Sequence, residues 1–141
     1  MKVIPYLNFA HSKEVLDFYE KLGAEDINIV YGSDDMFAGV PEDQIPEKPS
    51  EFIMNASFKV FDNLIYLSDN FGNQEVDHSG SNICFTFDQN DDAEVTKAKD
   101  FFQNALDNGC QVTLPLSETE WSSIFGMFGD PFGLTRMFNG E

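Results

Sequence analysis

The side chains that most often carry out catalysis are scarce in this chain and far apart. The two histidines are His11 and His78, and the two cysteines are Cys84 and Cys110. The serine pair at 122–123 has no histidine nearby in the sequence, and there is no Gly-x-Ser-x-Gly turn or phosphate-binding glycine loop. We therefore expect solvent-exposed histidines and small, buried, reduced cysteines, the latter without Cys-x-x-Cys spacing and typical of a cytoplasmic protein.

Acidic residues are abundant, but their positions indicate a solvated surface. The chain has 141 residues with 25 Asp plus Glu against 8 Lys plus Arg, a formal net charge of −17. This balance excludes the basic face that nucleic-acid binding requires, and it would repel an anionic membrane. The acids cluster in loops and on helix faces, as at 34–35, 42–43 and 91–92. Hydrophobic residues make up 42% and include 15 Phe, so we expect a globular core, and no stretch predicts a signal peptide or membrane span.

The pattern along the chain predicts the order strand, helix, strand, strand, strand twice. Ser12 is expected to cap the first helix and Gly23 to end it, while residues 90–92 open the second helix and Gly109 ends it. We predict a single domain, 1–141, of two modules, 1–70 and 80–141, joined by a polar linker at 69–80. The acidic, proline-containing loop 32–50 is a candidate lid or interface arm. The predicted strands are 2–9, 24–31, 51–60, 64–68, 81–87, 110–116, 121–128 and 134–138, with a hairpin turn at Asp62-Asn63.

Several segments resemble the vicinal oxygen chelate superfamily, the group of glyoxalases, bleomycin-resistance proteins and extradiol dioxygenases. The similarity is to its PhnB-like branch, some members of which are labelled 3-demethylubiquinone methyltransferase-like. It implies an α+β fold in which paired βαβββ modules form a curled mixed sheet around a cleft. Methyl transfer is not expected, because S-adenosylmethionine needs a Gly-rich strand-to-helix turn and residues 9–12 are Phe-Ala-His-Ser. The resembling segments are 6–9, 15–24, 64–69, 108–110 and 129–133, the last reading Gly-Asp-Pro-Phe-Gly.

The resemblance also implies where a metal ion would bind. In the enzymes of this superfamily, His, Glu or Gln from the first and last strands of each module hold a divalent metal in the cleft. The corresponding positions here are Ile4, Tyr66, Asn82 and Met137, and a shift of one residue from the last gives Arg136. Hard and borderline cations prefer carboxylates and imidazoles, which none of these positions supplies. We therefore predict no metal site of this kind and no cofactor.

Strand alternation predicts a nearly uncharged lining for the cleft instead. Ile4, Tyr6 and Asn8 would face it from the first strand, and Asn82, Cys84 and Thr86 would face it from the first strand of module two. Trp121 is a candidate stacking wall, and Arg136 a candidate anchor for a ligand carboxylate. The alternatives are that the polar groups satisfy one another, that Trp121 is a core or dimer-interface residue, and that Arg136 pairs with a surface acid. The predicted ligand-binding residues are Tyr6, Asn55, Tyr66, Asn82, Cys84, Trp121, Arg136 and Met137.

Together these observations favour a metal-free small-molecule binding protein, acting as a cytoplasmic homodimer. Such a mixed lining suits an uncharged or zwitterionic ligand with aromatic or apolar parts. The resemblance leaves open a metal-dependent lyase, isomerase or dioxygenase whose ligands lie in another register. A third hypothesis is a non-catalytic interaction module whose acidic surface steers a basic partner. Neither a nucleic acid nor a membrane is expected as a partner.

Overall fold

Each half of the chain forms a four-stranded mixed sheet with one helix packed on one of its faces. The computed structural model describes residues 1–71 and 75–141. They divide into two units, Met1–Val76 and Asp77–Glu141, called module one and module two below. Residues 72–74, in the predicted linker 69–80, lie outside the described part. No helix in the described part is long and apolar enough to cross a membrane.

Module one has the predicted order of elements. Its strands follow the sheet order β1-β4-β3-β2, with β1 parallel to β4 and the other pairs antiparallel. The helix buries Val15, Leu16 and Tyr19 against the sheet, and the ring centroids of Tyr19 and Phe58 lie 5.5 Å apart. This helix-side core fixes which face of each strand points away from the helix. The elements are β1 (Tyr6–Phe9), α1 (Ser12–Lys21), β2 (Glu25–Tyr31), β3 (Ile53–Val60) and β4 (Asn63–Asp69).

Helix α1 ends as predicted but begins one residue earlier than its expected cap implies. Ser12 is the first helical residue, and the N-cap position falls to His11. The backbone N–H of Ser12 donates to Asp69 Oδ1 at 2.8 Å, so a carboxylate from β4 satisfies this free donor. The prediction of a Ser12 cap was wrong because the cap comes from a residue 57 positions away. Gly23 ends the helix with a φ of 102°, a conformation that glycine adopts without strain.

The hairpin between β3 and β4 turns one residue earlier than predicted. Phe61 and Asp62 have φ values of 50° and 63°, while Val60 pairs directly with Asn63. Two consecutive left-handed residues are typical of a type I′ turn, whose twist matches that of the flanking strands. The side-chain amide of Asn63, the first residue of β4, donates to the carbonyl of Phe61 at 2.9 Å and so stabilises the turn. The expected Asp62-Asn63 turn is therefore corrected to Phe61-Asp62.

The acidic segment between β2 and β3 is anchored at both ends. Phe37 from this segment packs against Phe52 and Phe71, with ring centroids 5.5 Å and 6.1 Å away. The Gly32 N–H donates to the Phe52 carbonyl at 2.7 Å, which closes the segment at its base. The segment forms no strand and no α-helix, as predicted. It folds into three short 3-10 turns, Asp34–Phe37, Glu42–Gln44 and Pro49–Glu51.

Module two repeats the topology of module one. Its sheet order is β5-β8-β7-β6, again with the first strand parallel to the last, which confirms the predicted repeat of the βαβββ order. Asp91 caps the helix by accepting hydrogen bonds from the N–H groups of Ala93 and Glu94. The third strand begins at 125 rather than at the predicted 121. The elements are β5 (Asn82–Phe87), α2 (Asp92–Asp107), β6 (Gln111–Ser117), β7 (Phe125–Gly129) and β8 (Thr135–Gly140).

An aromatic cluster of phenylalanines forms the core of module two. Phe138 on β8 lies at its centre and is completely buried. Its ring centroid is 5.3 Å from that of Phe85, 5.6 Å from that of Phe102 and 5.8 Å from that of Phe128. Such aromatic pairs stabilise by roughly 0.5–1.5 kcal/mol each beyond the area they bury. The cluster fixes the helix-side face of β5, β7 and β8, and thereby the residues on the opposite face.

Candidate functional site

The sheet face turned away from the helix, called the open face below, carries most of the predicted ligand-binding residues. In module one a row crosses all four strands, because Tyr6 pairs with Tyr66, Tyr66 with Ser57, and Ser57 with Asn28. Neighbouring residues such as Phe58 and Leu67 point to the helix side and are buried. Side-chain alternation therefore places this polar and aromatic row on the open face.

Three of the predicted residues are in contact on the open face of module one. The rings of Tyr6 and Tyr66 meet edge to face, with centroids 6.3 Å apart and an interplanar angle of 84°. The Asn55 side-chain amide donates to the Tyr6 hydroxyl at 3.5 Å. Tyr6 is 49% exposed, so this group presents a ring edge, a phenol and an amide to solvent. These groups supply both stacking surface and hydrogen-bonding capacity for a ligand.

A second polar pair on the same face is satisfied internally. Asn8 pairs with Ser68 across β1 and β4, and the Ser68 hydroxyl donates to Asn8 Oδ1 at 3.0 Å. Ser68 is buried, whereas Asn8 is exposed. Here the expected alternative applies, since polar side chains facing each other on a sheet hydrogen-bond to one another.

The equivalent row in module two is built from sulfur-containing side chains. Cys84 pairs with Met137, Met137 with Met127, and Met127 with Leu114. Asn82 lies two residues before Cys84 on the same face of β5. The structure thus brings Asn82 and Cys84 to one face, as predicted from strand alternation, and Met137, whose position was implied by the resemblance, lies on the same face. Cys84 is exposed, contrary to the expectation of a buried thiol.

Trp121 lies just before β7, at one end of this open face. Its ring meets that of Phe125 edge to face, with centroids 5.4 Å apart and an interplanar angle of 74°. Phe125 pairs with Asn139 and has the same alternation as Met127, so its side chain belongs to the open face. Trp121 is 67% exposed, which is incompatible with the core position considered as an alternative for it. The indole offers an accessible flat surface next to the row of module two.

Arg136 does not lie on the open face, and its predicted role as a ligand anchor is wrong. Because Met137 points to the open face, alternation sends the preceding side chain to the helix side, where Arg136 is completely buried. Its Nη2 lies 3.9 Å from Asp130 Oδ2, and both side chains are shielded from solvent. The alternative of a surface ion pair is also wrong, since the acid is buried. The prediction placed Arg136 and Met137 on the same face, which a regular strand does not allow, because successive side chains point to opposite faces.

The aspartate of the Gly-Asp-Pro-Phe-Gly segment, Asp130, has two structural roles. Asp130 Oδ1 accepts hydrogen bonds from the N–H groups of Phe132 and Leu134, each at 2.9 Å, while Oδ2 faces the guanidinium of Arg136. One carboxylate therefore holds the turn between β7 and β8 and balances a buried cation. Cys110 lies in the same environment: burial and the nearby Asp130 carboxylate raise the pKa of its thiol to about 12, although Arg136 opposes the shift.

Neither histidine lies on an open face. His11 is exposed at the start of α1, as expected. His78 is only 9% exposed, so the prediction of a solvated surface histidine was wrong for this residue. The thiol of Cys84 is a poor nucleophile, because partial burial, reinforced by the Glu141 carboxylate, raises its pKa. The described residues thus offer no activated nucleophile beside a base on either open face.

The donor atoms at the metal positions implied by the resemblance do not fit a divalent cation. Ile4 precedes β1 and supplies no donor, while Tyr66, Asn82 and Met137 supply a phenol, an amide and a thioether. Zn²⁺ and Mn²⁺ sites are built from imidazole, thiolate and carboxylate groups. Within residues 1–71 and 75–141, no three His, Cys, Asp or Glu side chains are grouped closely enough to hold a metal ion.

Sequence reasoning missed a cleft of about 330 Å³ in module one, beside the beginning of α1. His11, Phe52 and Asp69 contribute to its wall. Asp69 already accepts the N–H groups of Ser12 and Ile53, both at 2.8 Å, so this carboxylate ties β4 to α1 and β3. No local signal predicts the cleft, because it arises where the acidic segment returns to β3.

Comparison with solved structures identifies the fold. The crystal structure of protein PA1353 from Pseudomonas aeruginosa matches with a TM-score of 0.72 and 28% identity, covering 100% of this chain and 98% of that one. A PhnB protein from Bacillus cereus, described as a putative 3-demethylubiquinone-9 3-methyltransferase, matches with a TM-score of 0.65 and 16% identity over 100% of both chains. A bleomycin-binding protein in complex with bleomycin matches with a TM-score of 0.58 and 16% identity, covering 100% and 98%. No protein-family model and no curated protein sequence matches the chain.

These matches confirm the fold that the resemblance implies. The chain has the α+β fold of the glyoxalase and bleomycin resistance proteins, the fold of the vicinal oxygen chelate superfamily. Fold alone does not assign an activity, because function depends on the residues that a fold presents. The two open faces of this chain present aromatic, amide, thiol and thioether groups.

Proposed function

We propose that the protein binds an organic small molecule through the open face of module one and does so without a divalent metal ion. The observation that carries this proposal is the contact group of Tyr6, Tyr66 and Asn55, which combines two exposed or half-exposed rings with a hydrogen-bonding phenol and amide. No charged side chain takes part in this group. An uncharged or zwitterionic ligand with an aromatic portion suits such a surface, since its ring packs on the tyrosines and one polar group reaches Tyr6 or Asn55.

The open face of module two supports the same proposal with a different lining. Asn82 offers an amide, Cys84 and Met137 a polarizable surface, and Trp121 a stacking plane. Thioethers contact aromatic rings favourably, by about 0.3–1.5 kcal/mol per contact. The bleomycin-binding protein, which shares the fold, is a precedent for ligand binding by this architecture. Sequestration or presentation of a ligand is favoured over catalysis, because the described open-face residues include no activated nucleophile and no hard-metal donor set.

Two further properties belong to the proposal. A homodimer is proposed because the family resemblance implies it, and sedimentation of the purified protein tests it directly. A cytoplasmic location is proposed because both cysteines are free thiols, one exposed and one buried. Retention of an unmodified Cys84 in protein isolated under non-reducing conditions supports this location, whereas a mixed disulfide or a disulfide-linked dimer through Cys84 argues against it.

The binding proposal is tested by thermal shift against a metabolite library in the presence of EDTA. A ligand present at 100 times its Kd stabilises the folded state by about 2.7 kcal/mol, which gives a clear increase in Tm. We expect at least one aromatic compound to stabilise the wild type. Tyr6→Phe and Tyr66→Ala should lower its affinity, because the first removes the phenol and the second the ring.

The matched control is Tyr31→Phe. Tyr31 is also an exposed tyrosine of module one, but it pairs with buried Ile53 and lies outside the Tyr6 contact group. Ligand affinity unchanged by Tyr66→Ala would overturn the proposed location. Stabilisation that disappears in EDTA and returns with Mn²⁺, Zn²⁺ or Ni²⁺ would favour a metal-dependent enzyme instead. A chain that no small molecule stabilises would favour an interaction module.

A further inference from the structure

A row of three sulfur atoms crosses the open face of module two. Cys84 on β5 lies directly beside Met137 on β8, and Met137 lies directly beside Met127 on β7. Cys84 is exposed and both methionines are half-buried, so the row can be reached from solvent. The chain contains only 2 Cys and 5 Met, so this row gathers three of its seven sulfur atoms on adjacent strands.

The spacing of the row suits a shared ligand. Neighbouring strands lie about 4.7–4.9 Å apart, so the side chains of directly paired residues on one sheet face start about that far from each other. Cys84 and Met127 are separated by two strand spacings, roughly 10 Å, with Met137 between them. Methionine has three rotatable side-chain bonds, so both thioethers can swing toward the shorter cysteine. The three sulfur atoms can therefore approach one ion above Met137.

We propose that Cys84, Met127 and Met137 form a binding site for a soft monovalent cation, Cu(I) or its redox-inert analogue Ag(I). Thiolate and thioether ligands select Cu(I), whereas carboxylate and carbonyl oxygens select Mg²⁺, Ca²⁺ and Mn²⁺. The proposed site therefore differs from the divalent metal site of the superfamily's enzymes, which uses imidazole and carboxylate or amide ligands. It does not depend on the small-molecule binding proposed above, although the two share Cys84 and Met137.

The charge balance of binding is simple. The ion replaces the proton of the Cys84 thiol, which is released to solvent, and no electron is transferred. The resulting thiolate–cation unit is neutral, which suits a face that also carries Leu114 and Phe125.

The competing explanation is that the row is only an apolar surface. Methionine commonly fills apolar surface in protein cores and at binding sites. Leucine substitution separates the two explanations, because it preserves the apolar surface but removes the sulfur. A lone exposed thiol would also bind a soft cation, so the contribution of the two methionines is the decisive observation.

The test is a titration of the full chain with Ag(I), and with Cu(I) under anaerobic conditions in competition with a chromogenic Cu(I) chelator. Native mass spectrometry gives the stoichiometry and the competition gives the affinity. We expect one ion per chain in the wild type, and no ion at this affinity in Cys84→Ser. Met127→Leu and Met137→Leu should each weaken binding by at least about 10-fold, because a direct ligand is lost and even the loss of a residue that only supports a ligand costs about 10- to 100-fold.

The matched controls are Met36→Leu, which removes an exposed thioether in module one, and Cys110→Ala, which removes the buried thiol. Both controls should keep the wild-type affinity. Circular dichroism of each variant shows that the fold is intact. The proposal is overturned if Cys84→Ser keeps its ion, or if both leucine variants bind as tightly as the wild type. Either result leaves the small-molecule proposal standing, because the titration uses the metal alone.

Discussion

Replacing Asp130 with asparagine tests whether Arg136 is a buried structural cation rather than a ligand anchor. The substitution keeps an oxygen that accepts the N–H groups of Phe132 and Leu134, but it removes the negative charge 3.9 Å from the guanidinium. At an effective dielectric constant of about 20, two unit charges about 4 Å apart attract by about 4 kcal/mol. Breaking a buried ion pair from one side costs about 3–5 kcal/mol.

We therefore expect Asp130→Asn to lower the free energy of unfolding by about 3–5 kcal/mol, a large part of the roughly 5–15 kcal/mol of a typical domain. The assay is urea unfolding followed by circular dichroism. The double variant Asp130→Asn/Arg136→Met should recover more than half of the loss, because an apolar side chain then replaces the unbalanced charge. Asp17→Asn is the control, since Asp17 forms an exposed pair with Lys13 and should change stability by less than about 1 kcal/mol.

Two results would refute this reasoning. A loss below about 1 kcal/mol for Asp130→Asn would mean that the carboxylate does not balance a buried charge. A double variant no more stable than the single one would mean that Asp130 acts only through its turn hydrogen bonds. If Arg136 anchored a ligand, its substitution would abolish binding and leave stability unchanged.

Three further predictions concern residues near the site and its supporting core. Iodoacetamide should modify exposed Cys84 in the folded protein and leave Cys110 untouched, and equal labelling of the two by mass spectrometry would contradict the structure. The pKa of Cys110 is about 12 in the folded protein and about 8.5 in an unfolded chain. The unfolded state therefore loses the thiol proton first as the pH rises, so the contribution of Cys110 to folding stability is complete below about pH 8.5 and declines toward about pH 12. Cys110→Ala should therefore lose less stability than the wild type between pH 8 and pH 10, as measured by urea unfolding. Gly126→Ala should cost about 1–3 kcal/mol, because its Cβ would lie 3.0 Å from the backbone nitrogen of Leu116 and 3.1 Å from the carbonyl oxygen of Leu114, as well as 2.8 Å from Leu116 Cδ2. Gly129→Ala, whose Cβ would have no atom within 4 Å, should be nearly neutral, and equal losses of Tm in the two variants would count against the packing shown.

The fold and the open faces were largely predictable because both follow from local periodicity. The resemblance placed Tyr66 and Asn82 at the cleft, and alternation along the strands then added Tyr6 and Cys84. The repeat of the βαβββ order reinforced the assignment, because the same pattern of apolar and turn residues recurs. Within strands, the sequence therefore predicted which side chains would be neighbours.

The errors arose where a long-range partner decides the outcome. The cap of α1 comes from Asp69 on β4. The local sequence shows only that Ser12 is a residue type that caps helices, and it gives no sign that a distant carboxylate takes this role. Arg136 looked like a surface or ligand-binding residue because arginine is rarely buried without a partner, and that partner is folded into the turn that follows β7. The burial of His78 likewise depends on tertiary contacts that no local pattern encodes. The sulfur row was missed because only the register of β7 places Met127 beside Met137.

The central claim is that this chain uses the fold to bind a small molecule without a divalent metal ion. The most direct test is the Kd of a stabilising aromatic compound, measured by isothermal titration calorimetry in EDTA and again with saturating Mn²⁺, Zn²⁺ or Ni²⁺. The account predicts the same Kd under all four conditions, and a weaker one in Tyr66→Ala than in Tyr31→Phe. Binding that requires one of the divalent ions, and that Tyr66→Ala leaves unchanged, would contradict it.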